Sequence, residues 1–463
     1  MLPPLAVSLW YEDQSHLAFL SAFGITLITG LLVWLPVYNV KQDLRTRDGF
    51  LVTALFWAVL GLFGCLPFML VSEIYSMNFT DALFESLSGL TTTGATVITN
   101  IDALPKAILY YRQQLQWLGG IGIIVIAVAI LPMLGIGGMQ LYRAETPGPV
   151  KDSKLTPRIT ETAKVLFLIY LALTMACGIS YWLAGMNTFD AIGHAFSTVA
   201  IGGFSTYDAS IGHFDSPAIM MVAMFFMVIS GVNFALHFYT LREKSITHYF
   251  RDPEFRFYFG WIVAGTLITS ITLYLYSIYG GSDNLLYGAF EFISILTTTG
   301  YGAADFTTWP TFIPLLLFLF AFMGGCAGST GGGMKVIRVL LVFKQGVREL
   351  HRSIHPNAII PIKLGNSAVS DRVVEAVWGF CSVYVFVFIL MMLALLATGL
   401  DFITSFSAVG ACINNLGPGL GDASAHYGNI NDQAKWILTF AMLLGRLEVF
   451  TLLVLFTPAF WQK

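Results

Sequence analysis

Thr297-Thr298-Thr299-Gly300-Tyr301-Gly302 lies between two long apolar runs, and Thr91-Thr92-Thr93-Gly94 stands in the same setting much earlier in the chain. Threonine and glycine in such a place suit one kind of chemistry. Glycine admits backbone conformations that turn successive carbonyl oxygens to one side, and a ring of carbonyls can replace the hydration shell of a cation. A single loop cannot close a ring, but two further loops occupy equivalent places. Aligned on glycine, the four read Thr92-Thr93-Gly94-Ala95, Ala200-Ile201-Gly202-Gly203, Thr298-Thr299-Gly300-Tyr301 and Asn415-Leu416-Gly417-Pro418. The candidate ion-coordinating set is therefore Thr92, Thr93, Gly94, Ala200, Ile201, Gly202, Thr298, Thr299, Gly300, Asn415, Leu416 and Gly417. Two loops keep the threonine run and two replace it, so the expected ring is pseudo-symmetric, with fewer well-formed ion sites than four identical strands would make. Tyr301 and Gly302 are read as local variation.

The elements that must hold these loops are membrane helices. The 463 residues are 56% hydrophobic and only 11% charged, against about 25% charged in soluble domains. Runs of span length recur, since about 20 apolar residues cross a bilayer as a helix. Barrel-type alternation is absent. The expected spans are Leu17–Val40, Leu51–Val71, Gln113–Met133, Thr162–Leu183, Pro217–Tyr239, Tyr258–Tyr279, Phe312–Phe343, Val374–Ala397 and Trp436–Phe456. Most Lys and Arg fall in Lys41–Arg47, Arg143–Arg158, Arg242–Arg256, Lys335–Arg372 and at Lys463, which places those segments in the cytoplasm. The intervening loops carry few positive charges, mainly Lys106, Arg112 and Lys435. After the first span the helices pair, and each pair encloses a less apolar segment ending in glycine: Asp81–Gly94, Asp190–Gly203, Tyr287–Gly302 and Asp401–Gly421. Three begin with Asp, which suits a helix N-terminus.

The expected fold is thus an all-α integral membrane protein in which four pseudo-symmetric helix–pore loop–helix repeats surround a central pore, with an N-terminal extra helical segment. Residues 1–45 form that segment, and 46–145, 146–250, 251–355 and 356–463 form the repeats. Irregular backbone at membrane depth survives only beside protein or a water-filled path, so four re-entrant loops on one side imply one shared pore.

Gly324-Gly325-Cys326-Ala327-Gly328-Ser329-Thr330-Gly331-Gly332-Gly333 interrupts Phe312–Phe343 with six glycines in ten residues. Each glycine costs a helix about 1 kcal/mol relative to alanine, so the helix breaks there. One reading is a packing kink; the other is a gate of Gly324, Gly325, Gly328, Ser329, Thr330, Gly331, Gly332 and Gly333 below the ring. Arg446 is read as the one arginine well inside a span, where charge costs roughly 2.5 kcal/mol or more. It pairs with Glu448 structurally, or it opposes cation flow at a constriction. Lys335 is expected to snorkel to the interface.

Other chemistries find little support. The segment before Lys335 lacks the Gly-Lys-Ser/Thr ending of a nucleotide-binding loop. Cys65, Cys177, Cys326, Cys381 and Cys412 are scattered in apolar context, so neither disulfides nor a metal site is expected. No clustered nucleophile, base or metal-ligand set marks an enzyme. No basic region precedes the first apolar stretch, so no cleaved signal peptide is expected. A secondary transporter coupling a cation to protons or sodium would need acids deep in the spans; the deepest, Glu85 and Glu291, lie in the half-helices instead.

These loops, together with Gly324–Lys335, Gln140-Leu141-Tyr142-Arg143-Ala144-Glu145-Thr146-Pro147-Gly148-Pro149 and Gly445-Arg446-Leu447-Glu448, resemble the Trk/Ktr/HKT superfamily of cation uptake proteins, and within it the membrane subunit of bacterial Trk systems. The resemblance covers nearly the whole chain. It implies a potassium-selective uptake pore in a bacterial inner membrane, with potassium as the transported ion and no nucleotide bound by this chain. In that superfamily glycine at all four filter positions goes with potassium, and serine at the first goes with sodium in some plant relatives. It also implies a moving intramembrane gate with Arg446 at the constriction. The implied partners are a second copy of the chain and a cytosolic TrkA-like ring of nucleotide-binding domains that sense NAD(H) or adenine nucleotides. No nucleic acid is implied. The superfamily usually has a full helix before Leu17–Val40, and here only Met1–Trp10 stands in that place.

Overall fold

The computed structural model describes residues 1–40, 46–72, 74–129, 159–310, 312–365 and 367–462. Gln140–Pro149 and Arg143–Arg158 lie outside them. Among the described residues, five helical segments are long and apolar enough to cross a membrane: His16–Val37, Asp48–Leu70, Ala163–Leu183, Pro253–Leu275 and Asp371–Ala397. Met1–Trp10 corresponds to a helix, Leu2–Tyr11, which packs on the helix Lys106–Ala129. Asp13 just beyond it accepts a hydrogen bond from the Ala107 amide at 2.7 Å.

Four short helices descend between these spans: Phe79–Leu90, Thr188–Val199, Asp283–Leu296 and Phe402–Ile413. Each packs between the two helices that flank it in sequence. Their starts differ in detail from expectation. Asn78 and Asn187, not Asp81 and Asp190, cap the first two, accepting from the amides of Asp81 and Asp190 at 2.8 and 2.9 Å. The two aspartates sit in the first turn, where their charge complements the helix dipole. Asp401 is itself the cap of the fourth, bonded to the Thr404 amide at 3.1 Å. The third starts at Asp283, earlier than Tyr287, and so gains an acidic first turn as well.

The repeats join in a circle. Lys106–Ala129 packs on Thr188–Val199, Pro217–Ser230 on Asp283–Leu296, and Asp432–Arg446 back on Phe79–Leu90. Phe318 of Ile313–Ala321 meets Phe406 of the fourth short helix, with ring centroids 5.7 Å apart.

Two spans expected to be single are bent. Pro217–Ser230 and Phe234–Glu243 meet at 93°, and Asp432–Arg446 and Phe450–Phe456 at 108°. The first break follows from Asn233, whose side chain caps a new helix by accepting from the Ala235 amide at 2.8 Å. At the second, Glu448 and Val449 take φ values of 55° and 35°, which no helix accommodates. The expected interruption of Phe312–Phe343 is present: helices Ile313–Ala321 and Val336–Ile354 flank an irregular crossing.

Candidate functional site

The four short helices end alike. Thr91, Ala200, Thr297 and Asn414 follow them, and the next residue is left-handed in every case: Thr92 (φ 54°), Ile201 (55°), Thr298 (64°) and Asn415 (53°). The following amide then reaches back to a helix carbonyl, Thr93 to Ser88, Gly202 to Ser197, Thr299 to Ser294 and Leu416 to Ala411, all at 2.8–2.9 Å. Left-handed backbone costs a side-chain-bearing residue about 1–3 kcal/mol, more so for β-branched threonine and isoleucine. Four such residues in register mean that the surroundings dictate the turn.

These bonds correct the alignment of the second loop. Gly203 (φ 79°) matches Gly94 (80°) and Gly300 (79°), while Gly202 stands where the other loops have Thr93, Thr299 and Leu416. Adjacent glycines leave the register open in sequence; the Gly202 amide bonded to Ser197 sets it in space.

The loops touch in cyclic order. A Cβ added to Gly94 would lie 2.1 Å from the Gly202 carbonyl oxygen, and one on Gly203 would lie 2.0 Å from that of Thr299. One on Gly300 would lie 3.1 Å from the Gly417 nitrogen, and one on Gly417 would lie 2.7 Å from the Gly94 oxygen. Backbone therefore meets backbone all round a closed ring, and side chains are excluded at these positions. Thr92, Thr93, Ala200, Ile201, Thr298, Thr299, Asn415 and Leu416 are all buried. The four helix C-termini run into the ring, with partial negative charge suited to a cation.

Behind the ring, side chains brace the returning strands. Glu85 accepts from the Val97 amide at 3.0 Å, and Glu291 accepts from those of Ala303 and Ala304 at 2.7 and 3.0 Å. His194, in the equivalent place, meets Ser205 Oγ at 2.9 Å. Ser407 accepts from the Leu420 amide at 2.8 Å. Tyr301 is not idle variation: its hydroxyl lies 3.2 Å from the carbonyl oxygen of His194 and from Thr198 Oγ1, tying loop three to the second short helix.

The glycine-rich crossing lies directly against the ring. Gly332 N donates to Thr298 Oγ1 at 2.8 Å and Gly333 N to the Asn414 carbonyl at 3.0 Å. Thr330 Oγ1 donates to the carbonyls of Val199 and Ser230 at 3.0 and 3.3 Å. A Cβ on Gly331 would be 3.0 Å from the Thr297 oxygen, and on Gly332 2.0 Å from that of Asn414. The other end of the crossing rests on the first helix break: Cys326 N donates to the Gly231 carbonyl at 2.8 Å and Phe234 N to that of Gly328 at 3.0 Å. Gly325 accepts from the Val336 amide at 3.1 Å, Gly324 folds over Gly332, and Ser329 is buried between the two ends.

Arg446 joins this crossing to the first repeat. Its Nη1 donates to the Thr330 carbonyl at 3.0 Å and its Nη2 to that of Gly119 at 2.9 Å. Of the two readings of Arg446, the pairing with Glu448 does not occur; Glu448 is 2.7 Å from Arg338 instead, because the bend after Arg446 turns the two side chains apart. Lys335 is buried, not snorkelling, and its Nζ donates to the Gly331 carbonyl. A cavity of about 20 Å³, enough for one water, lies among Gly331, Gly332, Asn415, Gly445 and Arg446.

Arg446 is not the only buried arginine. Arg112, expected in a loop, lies within Lys106–Ala129 and bonds Glu85 at 2.8 Å with both side chains fully buried. Lys435 likewise pairs with Asp81 at 2.6 Å. Gln116, one turn beyond Arg112, touches loop two and was not singled out by its sequence. A polar stripe Arg112, Gln116 at helical spacing was the signal available.

Known proteins agree with this geometry. The TrkH family of cation transport proteins matches residues 15–463. A Trk system potassium uptake protein TrkH from Halomonas elongata is 60% identical over 463 residues, covering all of this chain and 96% of that protein. The Escherichia coli K12 protein of the same name is 55% identical with the same coverage. The crystal structure of the potassium transporter TrkH from Vibrio parahaemolyticus superposes with a TM-score of 0.92 and 52% identity, covering all of this chain and 96% of that one. This chain is a multi-pass, all-α membrane protein, and it belongs to the TrkH family of cation transport proteins.

Proposed function

We propose that this protein is a potassium-selective pore for uptake down the electrochemical gradient. The carrying observation is the closed ring of four equivalent backbone turns, in which glycine meets the next loop's backbone all the way round. Such a ring offers carbonyl oxygens in place of water, the chemistry that favours a weakly hydrated monovalent cation. The ligands are the carbonyls of Thr92, Thr93, Gly94, Ala200, Ile201, Gly202, Thr298, Thr299, Gly300, Asn415, Leu416 and Gly417, to which the register of loop two adds Gly203. The names of the relatives, Trk system potassium uptake proteins, support potassium as the ion.

The crossing from Gly324 to Gly333 is the gate and Arg446 its latch. In the conformation seen, Gly332 and Gly333 are bonded to Thr298 and Asn414 at the ring, and the Arg446 guanidinium lies beside them on Thr330, an arrangement that opposes cation passage. Opening requires the Thr330 carbonyl to leave Arg446. The helix Val336–Ile354 continues the crossing and carries Lys344, Arg348 and Arg352 with exposed Phe343, Leu350 and Ile354. A cytosolic TrkA-like ring of nucleotide-binding domains docked there would move the crossing directly, and a homodimer would present two such helices. Glu85 and Glu291 are engaged in holding strands, which favours a simple pore over coupling to protons or sodium.

The test is ion flux through reconstituted protein in potassium, rubidium, sodium and lithium, with reversal potentials under imposed proton and sodium gradients. Strong preference for potassium and a reversal potential set by potassium alone are expected. Equal potassium and sodium permeability overturns the filter; shifts with protons or sodium at fixed potassium overturn the uncoupled pore.

A further inference from the structure

Three of the four loops stiffen themselves with polar side chains. Thr91 and Thr93 share a hydrogen bond at 2.7 Å, and Thr297 and Thr299 one at 2.8 Å. In loop four, Asn414 Oδ1 accepts from the Tyr384 hydroxyl at 2.7 Å, and Asn415 Nδ2 donates to Thr93 Oγ1 at 3.1 Å. Loop two has no such means, because Ala200, Ile201, Gly202 and Gly203 carry no polar side chain. Its stiffness comes from another repeat. Gln116 Nε2 donates to the Gly202 carbonyl at 2.6 Å, and Gln116 Oε1 accepts from the Phe204 amide at 3.1 Å. The amide thus grips the loop on both sides of Gly203. Gln116 is fully buried, and one turn away Arg112 Nη1 donates to the Ser205 carbonyl at 3.1 Å.

Clamp and strut exclude each other. A Cβ on Gly202 would lie 2.4 Å from Gln116 Cδ, so the position that holds threonine in loops one and three is left bare to admit the glutamine. We propose that Gln116 is a selectivity-determining positioning residue, its side-chain amide replacing the missing threonine strut of loop two. This rests on the reading of the ring as a cation filter. A side chain that supplies both a donor and an acceptor is what a peptide needs to be held at two points, and a filter strand held at two points keeps its carbonyl spacing as ions exchange.

The full-length chain in liposomes tests it by reversal potential between potassium and sodium. Gln116→Glu keeps the shape but sets an oxygen against the Gly202 carbonyl; Gln116→Met keeps the length and removes both bonds. Each should lower the potassium-to-sodium permeability ratio about tenfold, the loss expected for one or two hydrogen bonds. Ala200→Thr with Gly202→Thr in a Gln116→Ala background makes room for a threonine strut and should return the ratio to within about threefold of the parent. A ratio unmoved by Gln116→Met in protein that elutes as a single folded species overturns the proposal. If that variant does not fold, the pair Gly202→Ala and Gln116→Ala decides by thermal stability: the clamp requires Gly202→Ala to be harmful alone and harmless beside Gln116→Ala, and additive losses overturn it. A parent that does not discriminate potassium from sodium instead refutes the filter reading, and the stability cycle then judges the contact by itself.

Discussion

Gly94 and Gly203 carry the sharpest consequences at the scale of single residues. Each has a left-handed backbone, and a side chain on either would run into the neighbouring loop's carbonyl at about 2 Å. Gly94→Ser is therefore expected to displace that carbonyl and relax discrimination against sodium, read as a reversal-potential shift toward the sodium equilibrium value. Gly203→Ser should reproduce that phenotype, since Gly203 occupies the same place in the ring; unchanged selectivity in either removes that loop from the filter. Arg446→Gln removes a charged donor from the Thr330 carbonyl. Hydrogen bonds to charged groups contribute about 1.5–3 kcal/mol, so basal potassium flux without any partner should rise about tenfold. Glu448→Gln should raise it less, because Glu448 faces Arg338 instead. The four glycine loops, the glycines of the broken helix and Arg446 as an arginine in apolar context were legible as residue types. Which carbonyls Arg446 reaches was not, because Thr330 and Gly119 lie far away along the chain.

The short helices and the breaks in the long ones set the next scale. Asn78 and Asn187 each precede an aspartate by three residues, a capping signal that a reading focused on the aspartates passes over. Asn187→Ala should cost about 1 kcal/mol of stability and lower the melting temperature in detergent without changing the ion preference. Arg112 and Glu85 bind Lys106–Ala129 to the first short helix. Removing one partner of a buried pair leaves an uncompensated charge and costs about 3–5 kcal/mol. Arg112→Met should thus destabilise strongly, and adding Glu85→Gln should recover much of the loss; thermal unfolding of the two variants checks this. The bends after Ser230 and Arg446 escaped hydropathy because a bend leaves the apolar run intact. The cue was Gly231-Val232-Asn233, a glycine followed by a helix cap.

For the whole molecule, the proposed pore takes its energy from the gradient. An inside-negative potential of 100 mV supplies about 2.3 kcal/mol per charge, enough for on the order of 50-fold accumulation of a monovalent cation. Collapsing the potential with an ionophore in liposomes should abolish uphill potassium accumulation, while collapsing a pH gradient at constant potential should leave it intact. By itself the sequence determined the membrane class, the fourfold recurrence, the presence of a broken helix and the residue types at the ring and the glycine-rich crossing, because periodicity, apolar length and glycine density are local properties. Only the tertiary structure decided the register of loop two, the partners of Arg446 and Arg112, and the grip of Gln116. Each depends on which groups the folded chain brings within hydrogen-bonding distance: a helix carbonyl for the Gly202 amide, a buried carboxylate for Arg112, and carbonyls from other repeats for Arg446 and Gln116.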